Sequence, residues 1–259
     1  MLEVVGLLLP LITALWWPFC RIMAMMSTAP VIGEGLVPLP VRALLSLVLA
    51  FLMLPMTKVA TMPDPFSLAG VVAMIEQAVI GGAIGLAMQL TMAVVNMLGF
   101  LASSQVGFSM AQMNDPVNGQ QSDVVSTLLG MVSILVFFAI DGHLVLAGVL
   151  GQSFQAWPIG GGYNALLLET IALNVGWVFS AAVLLALPII FSTLVVQIGF
   201  GFLNRVAPSL NLFSLGFSLV TLFGLMMLVQ VVRFIPEHYV QMTNQVLEML
   251  QQQMRAAHG

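Results

Sequence analysis

Charge is nearly missing from this 259-residue chain: Asp, Glu, Lys and Arg supply 6% of it, against roughly a quarter of an ordinary soluble domain. So few charges cannot clothe a surface meant for water, so lipid or other protein is the expected solvent. Basic residues are scarcest. No Lys or Arg lies between Lys58 and Arg205, while Asp64, Glu76, Asp115, Asp123, Asp141 and Glu169 all fall in that stretch. With a formal net charge of −4 and no basic block, the chain lacks the footprint of a nucleic-acid binder. The lone cysteine, Cys20, excludes an internal disulfide and any multi-cysteine zinc or iron-sulfur site; it reads as a small apolar packing residue. Catalytic signatures are also absent. There is no HExxH, no nucleophile elbow and no phosphate loop, since "GGGYN" at 160–164 lacks the following lysine. Neither an enzyme nor a cofactor or metal site is expected.

Long apolar runs fill the space left over. Residues 77–114, 142–168, 170–204 and 206–232 carry no Asp, Glu, Lys or Arg, and each exceeds the ~20 residues that cross a hydrocarbon core as helix. Because stretches such as "VVSTLLGMVSILVFFAI" (124–140) do not alternate, the pattern speaks against a barrel and the expected fold class is an all-α, polytopic membrane protein. Six helical segments are predicted, at about Val4–Met26, Val41–Thr57, Leu68–Ala102, Val124–Leu150, Leu166–Leu203 (kinked at Pro188) and Leu212–Ile235. The third is too long for one perpendicular span. With Glu3 and no basic leader or small-x-small cleavage site, the first reads as a retained membrane segment. The tail, 237–259, reads as an amphipathic helix outside lipid with Val240, Leu247, Leu250 and Met254 near one face. No repeat divides the chain, so 1–259 is read as a single membrane-integral domain. Orientation cannot be taken from basic residues, because Arg205 and Arg233 bracket the same segment. Helices that finish against partner subunits would explain so mute a charge pattern.

Within this frame a few residues stand out. Gly81 and Gly85, with Ala78 and Gly82 beside them, make a small-xxx-small face where a helix can approach closely, within the chain or from another subunit. Arg21, Glu76 and Asp141 fall at depth, where each charge costs about 2.5–3.5 kcal/mol on the insertion scale and demands a partner. Asp141-Gly142-His143 predicts a turn or break in the fourth segment, since positions two apart do not share a helix face for ligation. Nineteen methionines supply flexible, polarizable filler. Most unusual is "GFSMAQMNDPVNGQQSD", 107–123, which sets turn formers and spaced methionines between two apolar segments. Two readings stay open for it: a solvent loop, or a re-entrant, pore-lining segment satisfied by protein or a water-filled cavity.

The run Gly99–Pro116, "GFLASSQVGFSMAQMNDP", resembles the central signature of the FliR family (SctT in injectisomes), in which a Gly, Gln-x-Gly-Phe-Ser and Asp-Pro recur. "LNRVAPSLNLFSLGF", Leu203–Phe217, is similar to that family's second signature through Asn204, Arg205, Ala207, Pro208, Asn211, Gly216 and Phe217. "STAP" at 27–30 and "DGH" at 141–143 also fit, so the resemblance covers nearly the whole chain. It implies a core subunit of a type III protein export gate, without enzymatic activity. Such a subunit would assemble with several copies of FliP-like and FliQ-like subunits beside FlhB-like and FlhA-like proteins, in the bacterial inner membrane of a flagellar basal body. Its long kinked helices and hairpins would join a helical hetero-oligomer with much of its mass on the periplasmic side, in contact with lipid and passing unfolded substrates. The resemblance assigns a plug role to the 107–123 loop, here Gly107, Phe108, Ser109, Met110, Ala111, Gln112, Met113, Asn114, Asp115 and Pro116. It assigns structural or assembly roles to Asp141, Gly142, His143, Asn204, Arg205, Pro208, Asn211 and Gly216, to which the packing pair Gly81 and Gly85 is added. Ser218 stands where the family often has Pro. Because "SLVTLFGL" lacks the basic residue common in the injectisome branch, the flagellar branch is favoured. The rival expectation is a small-solute transporter, which would show paired intramembrane charges or a repeat.

Overall fold

A computed structural model describes residues 2–33, 37–57, 64–107, 123–162, 166–206 and 212–257. Its long elements are all helices: α1 (Leu2–Thr28), α2 (Leu39–Met53, continued by a 3-10 turn at Leu54–Met56), α3 (Leu68–Val106), α4 (Val124–Ala139), α5 (Gly142–Ala156), α6 (Leu166–Val206) and α7 (Leu212–Ala256). Four helices among the described residues are long and apolar enough to cross a membrane, and a fifth span results if α4 and α5 count as one broken crossing. The protein is therefore all-α and polytopic. α3, at 39 residues, is about 58 Å long, nearly twice the ~30 Å hydrocarbon thickness. A helix apolar on every side is expected to be enclosed. Two-thirds of the span in α3 is buried, against 17–28% in the other three.

Several boundaries differ from the sequence expectation, each for a local reason. α2 starts at Leu39 rather than Val41, because Pro38 is extended (ψ 146°) and Pro40 falls in the first turn, where a missing N–H costs nothing. The fourth segment is two helices. Asp141 between them adopts the left-handed conformation (φ 54°); its N–H bonds Phe138 O at 3.1 Å, while Leu144 N and Val145 N return to its own carbonyl at 2.8 and 3.1 Å. Aspartate visits that region more readily than most residues. Asp141→Ala is expected to cost about 1 kcal/mol and Asp141→Gly to cost none, as read from thermal denaturation midpoints in detergent.

The sixth segment and the tail form one helix, since α7 passes through Pro236 and runs on to Ala256. Its far end is amphipathic: Tyr239, Val246, Leu250 and Met254 are buried, Val240 and Leu247 are half-buried, and Glu237, Gln241, Glu248 and Arg255 are exposed. α6 likewise continues past Pro188.

The described chain divides into two compact units. The first comprises residues 1–90, 138–174 and 243–259, the second 91–137 and 175–242. In the first unit, Trp17, Ala73 and Ile159 form a buried cluster. Ser46 of α2 donates to Met26 Sδ of α1 at 3.3 Å, and Gln253 of α7 donates to Thr170 of α6 at 3.0 Å. In the second unit, α4, α6 and α7 gather on the C-terminal third of α3, whose Leu98, Ala102 and Val106 are fully buried.

Candidate functional site

The end of α3 is held on three sides. A β-carbon on Gly99 would overlap the backbone of Ser126 and lie 2.8 Å from its nitrogen, so only glycine lets the start of α4 come this close. Ser126 Oγ donates to Asn96 O at 3.2 Å and to Asp123 Oδ2 at 2.6 Å. Six residues later Gln105 Oε1 accepts from Thr193 of α6 at 3.2 Å. Val106 O accepts from Thr221 of α7 at 3.0 Å, and a β-carbon on Gly224 would come within 2.6 Å of Val106 Cγ2. Gly107 then ends the helix at φ 88°, as a left-handed glycine commonly does.

Across the connection, Asp123 opens α4. Its Oδ1 accepts from Val125 N at 3.2 Å and its Oδ2 from Ser126 N at 3.4 Å, which satisfies donors that a helix start otherwise leaves orphaned. In sequence Asp123 shows as one more acid without a basic residue near it; the signal that marks it as a cap is its place directly before an apolar run. Both roots of the 107–123 segment are thus fixed by named contacts. Phe108, Ser109, Met110, Ala111, Gln112, Met113, Asn114, Asp115 and Pro116 lie outside the described residues.

A second constellation lies in the first unit. Arg21, fully buried, donates from Nε to Gln77 Oε1 at 2.8 Å, from Nη1 to Ser153 O at 2.8 Å and Ser153 Oγ at 3.1 Å, and from Nη2 to Trp157 O at 2.7 Å. Its guanidinium also sits over the Phe154 ring, 4.4 Å from the centroid. Gln77 Nε2 passes the contact on to Glu76 Oε1 at 3.3 Å. The last turn of α5 holds no basic residue, so a side chain of α1 supplies both the donors and the positive charge that a helix C-terminus favours. In sequence Arg21 and Glu76 are charges that need partners, but two of the partners are backbone carbonyls and carry no residue-type signal.

The small-residue face of α3 meets α1 of the same chain. A β-carbon on Gly81 would overlap Arg21 O, and one on Gly85 would lie 2.6 Å from Met25 O; Thr28 Oγ1 donates to Gly82 O at 3.0 Å. Close backbone approach at Gly81 is what sets Arg21 deep enough to reach α5. Asp141 and His143 are exposed and Gly142 is buried between them. The His143 ring lies 5.8 Å from that of Phe138, and among the described residues no cluster fit for a metal forms. Asn204 and Arg205 are exposed in the last turn of α6, where a cation complements the helix dipole. Pro208 and Asn211 lie outside the described residues. Gly216 faces Phe200 of α6, with room for a methyl group at 3.5 Å.

Comparison with known proteins bears on residues in both constellations. The family model for bacterial export proteins, family 1, matches residues 12–246. The flagellar biosynthetic protein FliR of Pectobacterium carotovorum subsp. carotovorum is 35% identical over 242 residues, covering 92% of each chain. The FliR protein of Escherichia coli (strain K12) is 34% identical over 213 residues, 81% of this chain and 80% of that one. The FliR protein of Buchnera aphidicola subsp. Acyrthosiphon pisum is 30% identical over 223 residues, 85% and 86% of the two.

Proposed function

The chain belongs to the bacterial export proteins, family 1, and from that premise we propose that it is a core subunit of the flagellar protein export gate, lining the conduit through which unfolded flagellar proteins leave the cell. FliP-like and FliQ-like subunits in several copies would complete the channel walls, with FlhB-like and FlhA-like proteins beside them in the bacterial inner membrane. The observation that carries this reading is the pairing of a rigid frame with a turn-rich span. Gly99, Gln105, Val106 and Asp123 bind the roots of the 107–123 segment to α4, α6 and α7. A segment so rooted can change position without disturbing the helices that carry it.

In the closed state Phe108, Met110 and Met113 act as an apolar seal, and methionine suits the task because its unbranched side chain adapts to varied shapes. Constrictions of this kind close by excluding water. Opening moves the segment aside while the frame stays. The broad apolar faces of α2 and α6, where Leu44, Leu52, Phe191 and Phe202 are each more than half exposed, are covered by lipid and sibling subunits, since so much open apolar surface does not persist in water. Energy for transport comes from other components.

Deleting residues 110–115 in cells that produce the whole apparatus is expected to raise uptake of a small membrane-impermeant dye, with the complex still purifying intact. Unchanged dye uptake in a correctly assembled deletion would overturn the plug assignment.

A further inference from the structure

The turn that follows α1 holds a backbone angle that its residue disfavours. Val31 sits at φ 67°, in the left-handed region where a β-branched residue is a genuine outlier. Across it Ile32 N donates to Pro30 O at 2.7 Å, closing a γ-turn of the rare, positive-φ kind. Strain of this sort is worth roughly 5- to 150-fold in population, so it persists only where the surroundings hold it. Here Thr28 Oγ1 donates to Gly82 O of α3 at 3.0 Å and Gly33 N donates to Ala29 O at 2.9 Å. Gly33 lies so close to the end of α1 that a β-carbon on it would stand 2.7 Å from Ser27 O, and Ala29, Pro30 and Val31 are all buried. Beyond the turn the hold is thin. Of the 15 residues of α2, only Ser46, Ala50 and Met53 are buried. A strained residue leading into a lightly held helix leaves two arrangements close in free energy.

We propose that residues 30–33 form a strained catch between α1 and α2. With Val31 left-handed the catch is closed and α2 lies on α1; when Val31 relaxes to an extended backbone the γ-turn opens and α2 swings away. The catch is a conformational device of this chain alone and stands independently of the export reading.

The full-length chain, its lone cysteine removed as Cys20→Ala, carries spin labels at Leu52→Cys on α2 and Leu86→Cys on α3, both exposed positions, and is reconstituted in lipid nanodiscs. Pulsed electron paramagnetic resonance is expected to resolve two distances between the labels. Val31→Gly removes the strain of the closed catch and should cut the open population about ten-fold. Val31→Asn should act in the same direction, because asparagine enters the left-handed region more readily than valine. Val31→Ala also trims the side chain but keeps a β-carbon that pays for positive φ, so its effect should stay below about three-fold. Gly33→Ala presses a methyl group on Ser27 backbone and should enlarge the open population; if that variant fails to fold, the three at position 31 still decide. A single distance in the parent, unchanged populations in Val31→Gly, or alanine as effective as glycine would each overturn the catch. Because no export is measured, the outcome leaves the plug experiment untouched.

Discussion

Arg21→Ala is expected to abolish accumulation of folded protein, lowering stability by at least about 4 kcal/mol. Three buried acceptors, Gln77 Oε1, Ser153 O and Trp157 O, lose their donor together, and each stranded group costs about 1–3 kcal/mol. The contact with the Phe154 ring adds roughly 0.5–2 kcal/mol. Against a total stability of about 5–15 kcal/mol, that loss decides whether α5 stays docked. Arg21→Lys is expected to fall between parent and alanine variant, because an ammonium keeps the charge but cannot reach three acceptors in a planar fork. Arg255→Ala, at an exposed position, should behave as the parent. The monodisperse fraction on size-exclusion chromatography in detergent, followed by denaturation midpoints, checks all three. A stable, well-folded Arg21→Ala protein would show that the carbonyls find other donors.

Gly99→Val is expected to eliminate flagellar assembly while much of the protein still inserts. Its side chain would drive into the backbone of Ser126, and backbone cannot yield as a flexible side-chain tip can. Overpacking of this kind costs about 1–3 kcal/mol, less than the Arg21 loss, but it acts on the junction that roots the 107–123 segment. Swimming on soft agar reads the function, and the amount of membrane-inserted protein reads the fold. Ser126→Gly should rescue Gly99→Ala only in part, because Ser126 Oγ is removed while its Cα and N remain in the way. A double-mutant cycle between the two positions should therefore show a coupling of roughly 0.5–3 kcal/mol. Full motility in Gly99→Val would disconnect this contact from export.

The contrast between these two residues marks what the sequence could disclose. Helix type was legible because apolar runs longer than a bilayer is thick leave few alternatives, and the break at Asp141 was legible because Asp-Gly is turn chemistry. The close-approach face of Gly81 and Gly85 was visible from spacing, although spacing could not say that α1 occupies it. Arg21 announced a need for partners and hid their identity. In sequence the tail from 237 reads as a separate amphipathic helix, whereas α7 passes through Pro236 and runs on to Ala256; a long helix can absorb one lost N–H when neighbouring structure supports it. Gly224 is indistinguishable by sequence from Gly176, beside which a β-carbon would meet nothing, and the signature that picks out Gly99 does not disclose the Ser126 backbone it lies against. Only three-dimensional proximity separates a glycine that must be one from a glycine that happens to be.

The capping of α5 by Arg21 also sets a timetable for the chain's birth. The guanidinium and the carbonyls it serves are 132 and 136 residues apart, so at a synthesis rate of about 5–20 residues per second the ribosome takes roughly 7–27 seconds to deliver them. Throughout that interval the newly inserted α1 carries a cation whose final acceptors have not been made, and Gln77, 56 residues on, reaches it first. Early membrane intermediates must therefore keep Arg21 near headgroups or water, and the first hairpin can sink to its final depth only after the fifth helix has emerged.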